Sequence, residues 1–301
     1  MKNFIKNFIR TGVSLVLTQE SGNTINSSIF KFKNKHSWIY KSIYGSTNDD
    51  EIIDNILQKF DGKIDCLMIH SSFNDMLPMY TGNLSSLLTK IISYCEKNSI
   101  TLVIPTFFNG SIWEAKEYYK NNIFDVSKTV SGMGLLSELF RRIPNVKRSV
   151  HPSHSVCALG PLADQLTKNH HKANTTFGEG TPFGEMAKYK TKILGLGLRK
   201  NQSLTQIHSP EDMMKENFPI KLHSESLPVT CIDESGNTLI YYLKIRNSEY
   251  IYDSNQINKI LGKIVVEWTF KGIPFYLTEA NLINETIIGA AKNNRTIYKK
   301  R

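Results

Sequence analysis

Short, nearly continuous apolar runs constrain this chain most. ITLVIP (100–105) is too uniformly apolar for a half-exposed strand, and IDCLMI (64–69), SVCALG (155–160) and KILGLGL (192–198) also read as strands. Between them lie segments of helical apolar spacing. EIIDNILQKF (51–60) repeats at Ile52, Ile53, Ile56, Leu57 and Phe60, and NLSSLLTKIISYCEK (83–97) and SGMGLLSELFRRI (131–143) are amphipathic. PLADQLTKNH (161–170) opens with Pro161, which suits a first helical turn, and SPEDMMKENF (209–218) reads as a short helix. Strands alternating with helices predict an α/β fold with a mostly parallel or mixed sheet covered on both faces.

The character changes after residue 218. LPVTCID, NTLIYYLKI and PFYLTE alternate or run apolar, ESGN (234–237) suits a hairpin turn, and a helix is expected over 254–268. The reading is therefore an extension (1–48), an α/β core (49–218), a smaller antiparallel β-rich addition (219–280), and a closing helix with a basic tail (281–301). Residues 1–20 have basic amphipathic spacing. Packing on the body is preferred there over contact with a membrane surface.

The net charge is +10, which attracts anionic partners, but the basic residues are spread along the chain and no nucleic-acid module is recognisable. No apolar run is long enough to span a bilayer, and the N-terminus lacks the apolar block of a signal peptide. Cys66, Cys95, Cys157 and Cys231 form no CxxC pair, which gives no support for a metal site and suits a reducing cytoplasm.

In α/β sheets, ligands bind at the carboxyl ends of strands. Here those ends carry His70-Ser71-Ser72, then Thr106-Phe107 after Pro105, then a loop leading to Thr205, His208 and Glu211. In TQIHSPED (205–212), Ser209, Pro210 and Asp212 fit an N-cap, a first helical position and a capping-box acid. Glu211 lies one turn from His208, where a carboxylate can orient an imidazole base. Spacing alone favours plain capping. No G-x-S-x-G elbow, P-loop or dinucleotide fingerprint is present.

HSS (70–72), PTF (105–107), SGMGLLSELFRRIPNVKRSVHPSHSVCALG (131–160), GEGTPF (178–183), LGLGL (194–198) and TQIHSPE (205–211) occur in this order. Together they resemble the aminoglycoside 3-N-acetyltransferase family over roughly residues 50–290. Thr181 stands where the family pattern has serine. The resemblance implies a three-layer α/β/α sandwich, and acetyl-CoA or another short acyl-CoA as co-substrate. It further implies direct attack of an amine on the thioester, with His208 as base and Glu211 as its orienter. That tips the balance from capping to catalysis. Ser71 or Ser72 is a plausible oxyanion donor. His70, Thr106, Phe107, Arg148, Ser149, His151 and Ser155 are assigned to acyl-CoA binding, and Thr181, Phe183 and Thr205 to shaping the acceptor site.

The family's amines include aminoglycosides and, in a second branch, nucleotide-linked amino sugars of surface-polysaccharide synthesis. The net charge and the long extension lean toward the nucleotide-linked acceptor, with an aminoglycoside as the alternative. A catalytically silent binding protein on the same scaffold, and a serine hydrolase using Ser72 and His208, are the readings from other classes. RSVHPSHS (148–155) carries two histidines, but it precedes its strand. It reaches the rim only if that strand runs antiparallel or the loop folds back. Arg148 is read there as a phosphate ligand, His151 as a candidate, and His154 as ordinary surface.

Overall fold

Seven strands form one mixed sheet in the computed structural model, which describes residues 35–247 and 249–301. They are β1 (Cys66–Ser71), β2 (Thr101–Pro105), β4 (Lys147–Arg148), β5 (Val156–Leu159), β6 (Thr191–Leu196), β10 (Val266–Phe270) and β11 (Ile273–Glu279). Their spatial order is β10-β11-β6-β1-β2-β5-β4. Only β6, β1 and β2 run side by side in parallel. β11 is antiparallel to β6, and β5 is antiparallel to β2 with Val156 opposite Pro105.

The period-two alternation of the central strands splits the core into two layers. Met68, Val103 and Ile193 face a cluster with Ile257 and Leu261 of the helix Ser254–Leu261 and Ile283 and Ile287 of the helix Ala280–Ala291. Leu67, Ile69, Leu102, Ile104 and Leu194 face the helices Asp49–Leu57, Leu84–Lys97 and Leu135–Arg141. This is the expected α/β/α sandwich. Asn83 caps the Leu84–Lys97 helix by accepting the Ser85 and Ser86 N–H groups, and Leu87, Leu88 and Ile91 are its buried stripe. Truncating Leu87, which is fully buried, to alanine costs roughly 2–5 kcal/mol.

The β-rich addition is divided among three sheets. β7 (His223–Ile232) and β8 (Thr238–Arg246) form the expected hairpin, and β3 (Phe124–Asp125) pairs in parallel with β7. A third cluster, with Ala115 and Tyr119 of the helix Ile112–Tyr119, packs there. PFYLTE, however, is β11 of the main sheet, with both faces covered. The helix expected over 254–268 stops at Gly262, and the β-branched run that follows becomes β10. β9 (Tyr250–Tyr252) pairs with β12 (Tyr298–Lys300).

The amphipathic helix expected over 1–20 lies outside the described residues. The described end of the extension, from residue 35, packs on the body. Tyr40 is buried, and Thr47 bridges to Tyr80. Among the described residues, no helix is long and apolar enough to cross a membrane, and no group of three His, Cys, Asp or Glu side chains is placed to hold a metal ion. All four cysteines are buried free thiols.

Candidate active site

The direction of β5 decides what the rim contains. Because β5 runs antiparallel to β2, the loop entering it, Ser153–Ser155, lies beside the exit of β2. Thr106 N–H donates to Ser155 O and Phe108 N–H to Ser153 O, each at 2.9 Å. RSVHPSHS therefore reaches the rim by the antiparallel route. β6 leads through a short helix to a 3₁₀ turn, Thr205–His208, which runs directly into the helix Ser209–Met214.

That continuity removes the capping box expected at Ser209. Ser209 is already helical at φ −62° and ψ −45°, and His208 takes the N-cap position without a side-chain cap. The Asp212 carboxylate turns elsewhere. It accepts Phe177 N–H at 2.8 Å and faces His223 Nε2 at 3.1 Å.

His208 and Glu211 do meet. Nδ1 lies 3.2 Å from Glu211 Oε2, and the Glu211 side chain is only 3% exposed. Glu211 has two more partners: Arg246 Nη2 donates to Oε2 at 3.0 Å, and the Tyr298 hydroxyl donates to Oε1. Burial works to raise the Glu211 pKa. The His208 imidazole, the Arg246 guanidinium and the Tyr298 hydroxyl outweigh it and hold the carboxyl below its ordinary range. For His208, burial is the largest influence and lowers the pKa. Glu211 opposes that shift and Arg246 reinforces it, so the imidazole is neutral at neutral pH. Nδ1 lies 3.2 Å from both the acceptor-only Glu211 carboxylate and the donor-only Arg246 Nη1. The proton is assigned to Nδ1, toward the carboxylate, which leaves the Nε2 lone pair as the acceptor for base chemistry. The Tyr252 hydroxyl lies 2.8 Å from Nε2.

A cleft of roughly 280 Å³ opens at His208, lined among others by Phe107, His154, Phe177, His223, Lys244 and Tyr252. His154, expected on the surface, is in its wall. Its ring packs on Phe107 at 4.9 Å and Phe177 at 4.8 Å, and Phe177 in turn packs on His208 at 4.9 Å. The turn after Pro152 puts it there, closed by His154 N–H donating to His151 Nδ1 at 3.0 Å. Burial, with the nearby histidines and Arg246, pushes its pKa down to about 3.

The other expected site residues mostly support the cleft from behind. Phe107 lines it, whereas Phe183 is fully buried against Phe107 and Phe177. Thr181 caps the helix Pro182–Met186 and is buried. Thr205 Oγ1 lies 3.2 Å from His70 Nε2, and Ser203 Oγ lies 3.2 Å from His70 Nδ1. His70 thus ties β1 to the His208 turn. Ser71 ends β1, and the Ser72 hydroxyl donates to Asp75 at 2.7 Å, so it is not paired with His208 as a hydrolase would need.

Arg148, read as a phosphate ligand, is committed to the interior. It donates to Thr106 O and Val126 O at 3.1 Å each, to Thr129 O, and to Ser155 Oγ at 3.1 Å. Burial without a carboxylate partner lowers its pKa to about 10. Thr106 and Ser155 are hydrogen-bonded to each other, and Ser149 Oγ accepts Val156 N–H and meets His170 Nδ1. His151 is fully buried between His170 and Tyr241, at 4.5 and 4.6 Å.

Arg246, Tyr252 and Tyr298 are absent from the sequence-based site. Alternation along β8 puts Arg246 on the face opposite buried Ile245, and the β9–β12 pairing sets Tyr252 opposite Tyr298. The only local sign is the aromatic density of YIYD and TIYK.

A family model described as "Aminoglycoside 3-N-acetyltransferase" matches residues 68–281. An aminoglycoside N(3)-acetyltransferase III of Salmonella sp is 39% identical over 83 residues, 28% of this chain and 28% of that protein. An aminoglycoside N(3)-acetyltransferase IV of Salmonella sp is 28% identical over 159 residues, 52% of this chain and 56% of that protein. The chain therefore spans 28% to 56% of the length of these curated relatives. Among solved structures, AAC-VIa bound to sisomicin superposes with a TM-score of 0.66 at 17% identity, over 83% of this chain and 99% of that one. AAC-IIIb in a binary complex with CoASH gives 0.64 at 17% identity, over 83% and 98%. At such identities the likeness is one of fold.

Proposed function

Because this chain belongs to the aminoglycoside 3-N-acetyltransferase family, we propose that it moves an acetyl group from acetyl-CoA to an amine of an aminoglycoside. The lean toward a nucleotide-linked amino sugar rested on net charge and the extension. The relatives named above are aminoglycoside acetyltransferases, and the alternative acceptor fits them better.

The observation that carries the reading is the neutral, buried His208 held by ionised Glu211 at the cleft. An amine must lose a proton as it attacks a thioester, and a base unprotonated at neutral pH suits that. Glu211 fixes the tautomer and stabilises the imidazolium that forms, while Arg246 and Tyr298 keep Glu211 ionised. His223 and Lys244 are shared with an adjoining groove of roughly 660 Å³ that also carries Lys215 and Lys221. Lys215, Lys221 and Lys244 can meet the phosphates of a CoA, whose one contribution is an activated acetyl thioester, while Glu211, Asp212 and Glu216 line the same groove. The buried thiols suit a cytoplasmic enzyme.

The test is thiol release from acetyl-CoA across a panel of aminoglycosides and amino-sugar nucleotides. Aminoglycoside turnover that His208→Ala lowers by about a hundredfold or more supports the assignment. Turnover with amino-sugar nucleotides alone overturns the acceptor, and full activity of His208→Ala overturns the base.

A further inference from the structure

We propose that Tyr252 is a proton relay, its hydroxyl standing between His208 Nε2 and the acceptor nitrogen. This rests on the acetyl-transfer reading above and adds a participant to it. With the Nδ1 proton on Glu211, Nε2 presents a lone pair, and the Tyr252 O–H donates to it across 2.8 Å. An acceptor amine cannot reach that lone pair directly without displacing the hydroxyl. The His208 side chain is 12% exposed, whereas Tyr252 is 43% exposed and lines the same cleft. Tyr252 thus lines the cleft with its hydroxyl set against Nε2.

The ring is fixed in place. Its strand pairs with β12, with Tyr252 opposite Tyr298, and the two rings pack at 5.1 Å. The Arg246 guanidinium lies over the Tyr252 ring at 5.5 Å, as well as over Tyr298 at 4.9 Å. A phenol can accept one hydrogen bond while donating another, as a relay requires. It also stays protonated, because burial, the largest influence on it, pushes its pKa up to about 12.

The step balances. The neutral acceptor nitrogen uses its lone pair to form the C–N bond to the acetyl carbon. One of its protons passes to Tyr252 Oη as the Tyr252 proton passes to His208 Nε2. The C–S bond breaks and its electron pair leaves on sulfur. The imidazolium, held by Glu211, returns its proton through Tyr252 to that thiolate. The products are an amide and a free thiol, and both side chains are restored.

Tyr252→Phe keeps the ring and removes only the O–H. The expected result is a kcat lowered by about tenfold or more with an unchanged KM for acetyl-CoA. The His208 titration, followed by NMR, should move upward, because the lost hydrogen bond favoured the neutral imidazole. A change confined to packing would not move that titration in this direction. An undiminished kcat with a lower acceptor KM shows a displaceable plug and overturns the relay. A wild-type His208 carrying its proton on Nε2 also overturns it, whatever the turnover. Wild-type protein that releases no thiol with any amine overturns the acetyl-transfer reading itself and the relay with it, even where NMR confirms the hydrogen bond.

Discussion

Glu211 and Arg246 act on His208 with opposite signs, and the difference can be measured. Glu211 raises the imidazole's proton affinity, whereas burial and Arg246 lower it. Glu211→Gln should therefore shift the acid limb of the kcat/KM profile to lower pH, since the remaining influences favour the neutral ring. The same substitution weakens support for the imidazolium, and kcat should fall about a hundredfold. A limb that moves to higher pH would contradict this assignment. Arg148 makes the contrasting case, because its guanidinium holds carbonyls together and touches no part of the cleft. Arg148→Met strands buried acceptors and should cost about 2 kcal/mol or more in urea unfolding, with the KM for acetyl-CoA unchanged in the folded fraction.

At the level of elements, β6 and β11 touch without room for a side chain between them. A Cβ added at Gly195 would fall 2.1 Å from the Tyr276 ring, which is fully buried and donates its O–H to Ser203 O at 3.1 Å. Gly195→Ala should lower stability by about 2 kcal/mol or more, read as a drop in Tm. It should also lower kcat, because Ser203 precedes the His208 turn. The same scale shows where sequence reading stops. The His208–Glu211 pair was legible through the family resemblance, because spacing alone favoured plain capping even though one turn of chain does bring the two together. The central strands were legible as apolar runs between amphipathic helices. The direction of β5 was not, since a four-residue apolar strand looks the same either way, and that direction puts His154 at the rim. Arg246, Tyr252 and Tyr298 were hidden because strand pairing, not spacing, gathers them. The fate of Asp212 was misjudged because a 3₁₀ turn extends its helix backward past the serine that looked like a cap.

The whole molecule carries an acid liability. Burial lowers His70 and His154 to about 3 and His170 to about 4, and His151 and His208 are also lowered. In the unfolded chain these imidazoles take up protons near pH 6.5, as ordinary histidines do. The unfolded state therefore binds more protons below that pH, and stability must fall as pH falls from about 6.5 toward 4. Each fully buried imidazole contributes at most about 1.4 kcal/mol per pH unit in that window. Unfolding free energies measured by urea titration at pH 7.5, 6 and 5 should decline steeply. A flat series would mean that these rings are not held neutral. The Tyr298 contact with Glu211 adds an ordering in time. The dyad's own residues emerge from the ribosome by position 211, but the hydroxyl and guanidinium that keep Glu211 charged arrive with residues 246 and 298. A nascent chain can have its α/β layers translated and still lack a working centre until residue 298 has been made.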